Sequence, residues 1–155
     1  MSTKAGTMNP GQIESRILVV EDVPDIQRLI VQLLQDQGAE VLIAEDGRAA
    51  VERVREAQRS GRPIDCVLMD MKMPVLGGCE AASQMRRDGY RGGIVAVTGW
   101  VVPGHRQQCL EAGCNDYLAK PFRAEVLLSI TRKWCRPETA ALSDGHWPDE
   151  APPDP

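Results

Sequence analysis

The sequence predicts an α/β fold of three layers, in which a five-stranded parallel sheet of order 2-1-3-4-5 lies between two layers of helices. Short apolar runs alternate with amphipathic helical segments from residue 16 to residue 134, a pattern typical of βαβ units. The apolar runs are nearly continuous, as expected for parallel strands that are covered on both faces. Right-handed crossovers leave few arrangements of five such units, and this order is the natural one.

The first half of the chain contains three strand candidates and two helix candidates. The strands are predicted at 16–20, 40–44 and 65–70, and the helices at 24–37 and 47–59. Pro24 suits the first turn of a helix, where its missing N–H group is not needed. Ile26, Leu29 and Ile30 keep helical spacing along an apolar face until Gly38 stops the helix.

The second half of the chain repeats this alternation. Helices are predicted at 79–87, from a break at Pro103 and Gly104 to Gly113, and at 123–134, with strands at 93–98 and 115–119. In the last helix Val126, Leu127 and Trp134 share one face, which is the expected stripe of a helix that covers a sheet. The complete pattern is that of a flavodoxin-like sheet with helices on both sides.

Both ends of the chain are predicted to lie outside the folded domain, which we place at 15–135. Residues 1–14 are polar, so we expect a flexible leader, and residues 136–155 are rich in proline and acid, so we expect a disordered tail or a linker. The sequence shows neither a signal region nor about 20 consecutive apolar residues, which favours a cytoplasmic location. Attachment to a membrane would then depend on another chain or segment.

Composition argues against several classes of function. The formal net charge of -4 gives no electrostatic reason to bind nucleic acid or an anionic membrane directly. The five cysteines are odd in number and form no C-x-x-C pair, so neither a disulfide framework nor a zinc site is predicted. Arg86, Arg87 and Arg91 are expected to form a solvated helix end, and His105 is expected to be a solvated side chain at a helix start.

Polar residues fall at the points where the predicted strands end. Glu21 and Asp22 directly follow the first strand, Asp70 ends the third, Thr98 ends the fourth, and Lys120 lies just past the fifth. The carboxyl ends of parallel strands meet at one edge of a sheet, and ligands bind at that edge. We therefore expect these five residues, which are far apart in sequence, to converge on one crevice.

The chemistry of such a cluster favours phosphoryl transfer with a divalent cation. Three crowded carboxylates repel one another, and a bound cation relieves that repulsion. Because the ligands are all oxygen, the set suits Mg²⁺ rather than Zn²⁺. Lys120 offers a positive charge and Thr98 a hydroxyl donor to a phosphoryl oxygen. Asp70 is then the nucleophile that forms an aspartyl phosphate.

Four motifs resemble the receiver domains of two-component response regulators. They are E-D-V-P-D after the first strand, V-L-M-D-M-K-M-P at the third, A-V-T-G at the fourth and D-Y-L-A-K-P-F at the fifth. The motifs occur in order, and the resemblance extends from about residue 16 to residue 133. Each motif alone is weak, but the four together at these spacings are specific.

The resemblance implies a role for each matching residue. Asp22 would bind the metal ion directly and Glu21 through water, while Asp70 would be both metal ligand and phosphoacceptor. The backbone carbonyl of Lys72 would complete the protein ligands, and the ion would be Mg²⁺ or Mn²⁺. Thr98 and Lys120 would contact the phosphoryl group, and Lys120 would precede Pro121 through a cis peptide. Tyr117 would be the switch aromatic that turns inward when Thr98 moves towards the phosphate.

The resemblance also implies partners. The phosphoryl donor would be a histidine kinase or a histidine phosphotransfer protein, and a homodimer through the fourth helix, fifth strand and fifth helix is a further option. The D-M-K-M-P and T-G-W stretches look most like receivers of hybrid sensor histidine kinases, with a stand-alone response regulator as the alternative. Such a domain would not be a conventional enzyme, although it would phosphorylate and dephosphorylate itself. Gly99 and Trp100 depart from the common pattern, which leaves the phosphate lifetime and the role of Trp100 open.

Three other interpretations compete with this one. Taken singly, Asp22 could cap a helix, Asp70 could end a strand, and Lys120 could be a surface lysine. An aspartate-nucleophile phosphatase on a similar sheet would need D-x-D, but Lys72 stands where the second acid should be. A nucleotide or flavin binder would need a glycine-rich or hydroxyl-rich loop after the first strand, where this chain has Glu21 and Asp22.

Overall fold

The computed structural model describes residues 13–73, 75–99 and 102–135 of the chain. Five strands alternate with five helices in these residues: β1 (Arg16–Val20), α1 (Pro24–Asp36), β2 (Glu40–Ala44), α2 (Gly47–Arg59), β3 (Cys66–Asp70), α3 (Gly78–Arg87), β4 (Gly93–Thr98), α4 (His105–Ala112), β5 (Asp116–Ala119) and α5 (Ala124–Cys135). All ten predicted elements are present, and their bounds differ from the predicted ones by one residue at most. At the start of β3, for example, Asp65 lies before the strand and its side chain accepts a hydrogen bond from the backbone N–H of Arg16 at 2.8 Å.

The sheet has the predicted order β2-β1-β3-β4-β5, and every pair of neighbouring strands is parallel. Its register aligns the carboxyl ends of the strands. Val20 of β1 lies beside Met69 of β3, Asp70 lies beside Val97, and Thr98 of β4 lies beside Ala119 of β5. The residues that follow β1, β3, β4 and β5 are therefore brought to one edge of the sheet.

Two apolar layers lie on opposite faces of the sheet, because successive side chains of a strand point to opposite faces. Leu18 and Val20 join the layer under α2, α3 and α4, whereas Ile17 and Val19 join the layer under α1 and α5. Burial of each such side chain stabilises the fold by about 1.5–3 kcal/mol relative to exposure. β3 and β4 are buried along their whole length, which explains their continuous apolar runs. The edge strand β2 is only partly buried.

A capping side chain and a glycine at the start of α2 position this helix against the loop between β3 and α3. The Asp46 side chain caps α2 by accepting a hydrogen bond from the Ala49 N–H at 2.8 Å. Gly47 follows, and a side chain there would collide with the backbone carbonyl of Leu76 in the loop between β3 and α3. Glycine at this position therefore lets α2 approach the loop that follows Asp70.

Some predictions fall on residues that the structure does not describe. They include most of the predicted leader, the whole predicted tail and Trp100. Within the described part, Ile13 is buried in the layer beside α1. The boundaries of the folded domain stay a prediction. No helix of the described residues is both long and apolar enough to cross a membrane.

Candidate functional site

The carboxyl edge of the sheet brings the predicted acidic residues together. Glu21, Asp22 and Asp70 each place one carboxylate oxygen within 4.8 Å of the others. Glu21 follows β1 and stays in line with the sheet, since its N–H group donates to the carbonyl of Ala44 at 3.1 Å. Glu21 and Asp70 are only 1% and 7% exposed, whereas Asp22 is open to solvent. The cluster is therefore a pocket that is reached from the side of Asp22.

Lys120 supplies the positive charge of this pocket. Its Nζ lies 2.7 Å from Oε1 of Glu21 and 3.5 Å from Oδ2 of Asp70. The backbone N–H of Lys120 donates to the carbonyl of Thr98 at 2.8 Å, which ties the residue to the end of β4. The peptide bond to Pro121 is cis, as the resemblance implies. A single ammonium group is thus shared by two of the three acids.

Backbone N–H groups orient two of the carboxylates. Oδ1 of Asp70 accepts a hydrogen bond from the Lys72 N–H at 3.1 Å, while Oδ2 faces Lys120. Oε2 of Glu21 accepts one from the Val23 N–H at 3.2 Å. Each carboxylate is held on one oxygen by the loop that follows its strand. Whether the carbonyl of Lys72 binds a metal ion stays a prediction.

The electrostatics of the pocket favour a cation. Burial raises the pKa of Glu21 above its ordinary value, and the negative charge of Asp70 raises it further, whereas the hydrogen bond from Lys120 lowers it. Three carboxylates and one ammonium leave an excess of negative charge when all are ionised. The donor set consists only of oxygen atoms, which fits a hard divalent cation such as Mg²⁺.

Thr98 and Tyr117 lie on the two neighbouring strands beyond this pocket. Thr98 is the last residue of β4 and is fully buried, and Tyr117 of β5 lies beside Ala96. The Tyr117 ring is buried, with its Oη 3.3 Å from Nδ1 of His105 at the start of α4. The predicted switch residues therefore lie on neighbouring strands, and the aromatic ring is turned inward against α4.

The prediction that His105 is solvated was wrong. Its side chain is 2% exposed, and it lies between Tyr117 and Cys109. The spacing of four residues between His105 and Cys109 puts both on one face of α4. Sequence reasoning missed this because it considered only the position of His105 at a helix start. The i, i+4 spacing to a buried cysteine was the available signal.

The fold and the pocket define a doubly wound α/β domain that can hold a divalent cation and one phosphoryl group at the carboxyl ends of its strands. A family model for the response regulator receiver domain matches residues 17–132. The chain therefore belongs to the response regulator receiver family and is a receiver domain of a two-component phosphorelay. The phosphatase and flavin-binder interpretations are not supported by these matches.

Curated relatives place similar sequences inside much longer proteins. The chain is 36% identical over 122 residues to hybrid signal transduction histidine kinase I of Dictyostelium discoideum, covering 76% of this chain and 7% of that protein. It is also 36% identical over 124 residues to the sensor protein GacS of Pseudomonas syringae, covering 77% of this chain and 13% of that protein. The chain thus spans a small part of the relatives that it matches.

Solved structures show the same fold. The receiver domain of a sensor histidine kinase from Pseudomonas aeruginosa, with a magnesium ion coordinated in its active site cleft, is 40% identical, with a TM-score of 0.69 over 79% of this chain and 98% of that one. The complex of the Saccharomyces cerevisiae phosphotransfer protein Ypd1 with the receiver domain of Ssk1 matches at 28% identity, with a TM-score of 0.68 over 78% of this chain and 88% of that one.

Proposed function

We propose that Asp70 accepts a phosphoryl group from a phosphohistidine, and that Asp22, Asp70 and, through water, Glu21 hold the Mg²⁺ that this transfer requires. The observation that carries the proposal is the setting of Asp70. Its carboxylate lies among two other acids and faces Lys120 at 3.5 Å, with its other oxygen held by the Lys72 N–H. A similar receiver domain has magnesium in its active site cleft, which supports Mg²⁺ here. Mn²⁺ would fit the same oxygen ligands, with the Lys72 carbonyl as a further ligand.

The residues of the chain have distinct tasks in this reaction. One oxygen of Asp70 attacks phosphorus while the P–N bond of the phosphohistidine breaks, and the imidazole leaves with the bonding electron pair and takes up a proton. Lys120 neutralises charge on the phosphoryl oxygens, and Thr98 donates a hydrogen bond to one of them. The bound cation would neutralise the remaining charge on the same oxygens.

The response to phosphorylation passes through Thr98 and Tyr117. Thr98 would move towards the phosphoryl group. Tyr117 would then occupy the inward position next to α4. The surface of α4, β5 and α5 would then change its preference between partners, as a two-state element biased by one charged group. The buried Tyr117 ring next to α4 supports this path.

The proposed phosphoryl donor is a histidine kinase or a histidine phosphotransfer protein. The similarity to hybrid kinases and to a receiver bound to a histidine phosphotransfer protein supports both options. A receiver within a cytoplasmic part of a hybrid sensor kinase is our preferred context, and a stand-alone regulator is the alternative. We propose no direct contact with nucleic acid or membrane, in keeping with the net charge of -4. A homodimer through α4, β5 and α5 belongs to the same proposal.

The test is chemical phosphorylation of the purified chain. With acetyl phosphate and Mg²⁺, intact-mass spectrometry should show one phosphoryl adduct per chain. The adduct should disappear in Asp70→Asn and in EDTA, and it should persist in Asp36→Asn, which alters an exposed aspartate at the end of α1. An adduct that survives Asp70→Asn, or that forms equally well in EDTA, would contradict the proposal.

A further inference from the structure

A second group of metal-ligand side chains lies between α3 and α4, apart from the acidic pocket. Cys79 near the start of α3 and His105 and Cys109 of α4 each place one ligand atom within 4.8 Å of the other two. Nε2 of His105 lies 3.9 Å from Sγ of Cys109. His105 and Cys109 are buried, while Cys79 is partly exposed. Three potential ligands thus converge from two helices, with access from the side of Cys79.

The spacing of these atoms fits a tetrahedral metal ion. Typical bonds of about 2.3 Å from zinc to sulfur and about 2.0 Å to nitrogen place neighbouring ligand atoms about 3.5–3.8 Å apart. The observed separation of 3.9 Å between the ring nitrogen and Cys109 Sγ is close to this range. All three ligand atoms lie within 4.8 Å of one another. Small side-chain rotations can bring them from these separations to the distances of a bound ion.

The donor atoms select a thiophilic ion. Two thiolates and one imidazole suit Zn²⁺ or Cu⁺, whereas Mg²⁺ prefers oxygen. Further sulfur atoms surround the group: Sδ of Met71 lies 3.9 Å from Sγ of Cys79, and the thiol of Cys114 interacts with that of Cys109. The remaining position on the ion can therefore be filled by sulfur or by water that enters beside Cys79.

We propose that Cys79, His105 and Cys109 bind one thiophilic metal ion, Zn²⁺ or Cu⁺, and that this ion joins α3 to α4. Both thiols lose their protons to solvent when the ion binds. His105 would bind through Nε2, since that nitrogen faces Cys109. The Nδ1 atom then carries the ring proton and donates it in a hydrogen bond to Oη of Tyr117, now 3.3 Å away.

The ion would therefore hold Tyr117 in its inward position. A ligating histidine usually donates its second N–H to an oxygen, which fixes the ring orientation. The rings of His105 and Tyr117 already meet edge to face, with centroids 5.8 Å apart. Binding of the ion does not depend on the proposed phosphoacceptor function. Only its effect on signalling rests on that function, through the role of Tyr117 as switch residue.

Metal competition tests the binding site. The full chain, fully reduced and in excess Mg²⁺ so that the acidic pocket is occupied, is titrated with Zn²⁺ against a chromogenic chelator, and anaerobically with Cu⁺ against a Cu⁺ chelator. We expect one Zn²⁺ or one Cu⁺ ion per chain. Cys79→Ser and Cys109→Ser should each weaken binding by about tenfold or more, since each removes a ligand.

Two control variants separate this site from other parts of the chain. Cys135→Ser alters a partly exposed thiol beside the other apolar layer and should bind the ion like the natural sequence. Asp70→Asn should also bind it normally while losing the phosphoryl adduct, so failure of the two proposals can be distinguished. Equal affinity in Cys79→Ser and Cys109→Ser, or no ion bound by the reduced protein, would overturn the proposal.

Fluorine NMR tests whether metal binding affects Tyr117. The sequence contains two tyrosines, Tyr90 and Tyr117, so fluorotyrosine labelling gives two resonances in fluorine NMR. Tyr90 donates to the carbonyl of Ile64 at 2.9 Å, at the opposite end of the sheet, and serves as the internal control. Metal binding should shift the Tyr117 resonance and leave that of Tyr90 in place. A bound ion with an unchanged Tyr117 resonance would refute the coupling.

Discussion

Arg86 fixes the end of α3 to the segments around β4 and β5. Its guanidinium and Nε groups donate hydrogen bonds to the carbonyls of Gly113, Tyr90 and Gly92 at 2.9–3.0 Å and to Oδ1 of Asn115 at 2.8 Å. Burial lowers the pKa of Arg86. One side chain thus satisfies four acceptors.

Removal of this side chain should destabilise the domain more than removal of its neighbour. Arg86→Met keeps much of the length but removes all four hydrogen bonds. Oδ1 of Asn115 keeps the bond from the Ile94 N–H at 2.9 Å, and the loss at the three carbonyls should cost about 3 kcal/mol in the free energy of unfolding. Arg87→Met is the matched control, because Arg87 is exposed and bonds only to Gln84 on its own helix among the contacts seen. Its effect should stay within about 0.5 kcal/mol. Urea denaturation of both variants measures the difference. Equal denaturation midpoints would contradict the stabilising role of Arg86.

The prediction that Arg86 belongs to a solvated helix end was wrong for a physical reason. Its acceptors lie on loops up to 29 residues away in sequence, so no local pattern reveals them. The acidic pocket could be predicted, because the carboxyl ends of parallel strands must converge. The group formed by Cys79, His105 and Cys109 could not, since it depends on how α3 packs against α4.

At the scale of elements, the local sequence was sufficient for nearly the whole fold. Strand and helix periods, Pro24 in the first turn of α1 and Gly113 at the end of α4 are local signals. Gly113 has a φ of +116°, a conformation that glycine adopts readily. The one-residue differences at α1, β3, α3, α4, β5 and α5 fall at the ends of these elements, where caps and loops replace the regular hydrogen bonds. Periodicity does not report such replacements.

The Asp46 cap should stabilise α2. Asp46→Ala removes the acceptor of the Ala49 N–H and should lower the free energy of unfolding by about 1 kcal/mol. Asp36→Ala is the control, because Asp36 ends α1 and bonds only to the Gln32 side chain among the contacts seen. A smaller loss for Asp46→Ala than for Asp36→Ala in urea denaturation would show that the cap does not stabilise α2.

For the molecule as a whole, we expect the acidic pocket to link ion binding to stability. Glu21 and Asp70 are buried near one another and near Asp22, and their mutual repulsion opposes folding when no cation is bound. Lys120 offsets only part of this repulsion, because one ammonium group is shared by two of the three acids. An ion that binds only the folded chain must therefore stabilise it.

Mg²⁺ should raise the free energy of unfolding by about 2.7 kcal/mol at a concentration one hundred times its dissociation constant. Urea denaturation in Mg²⁺ and in EDTA measures the difference. Asp22→Ala should lose this gain, since it removes the proposed ligand that is exposed to solvent. Asp70→Asn should also lose it, yet be more stable than the natural sequence in EDTA, because one of the repelling charges is gone. Retention of the full Mg²⁺ effect in both variants would place the ion elsewhere in the chain.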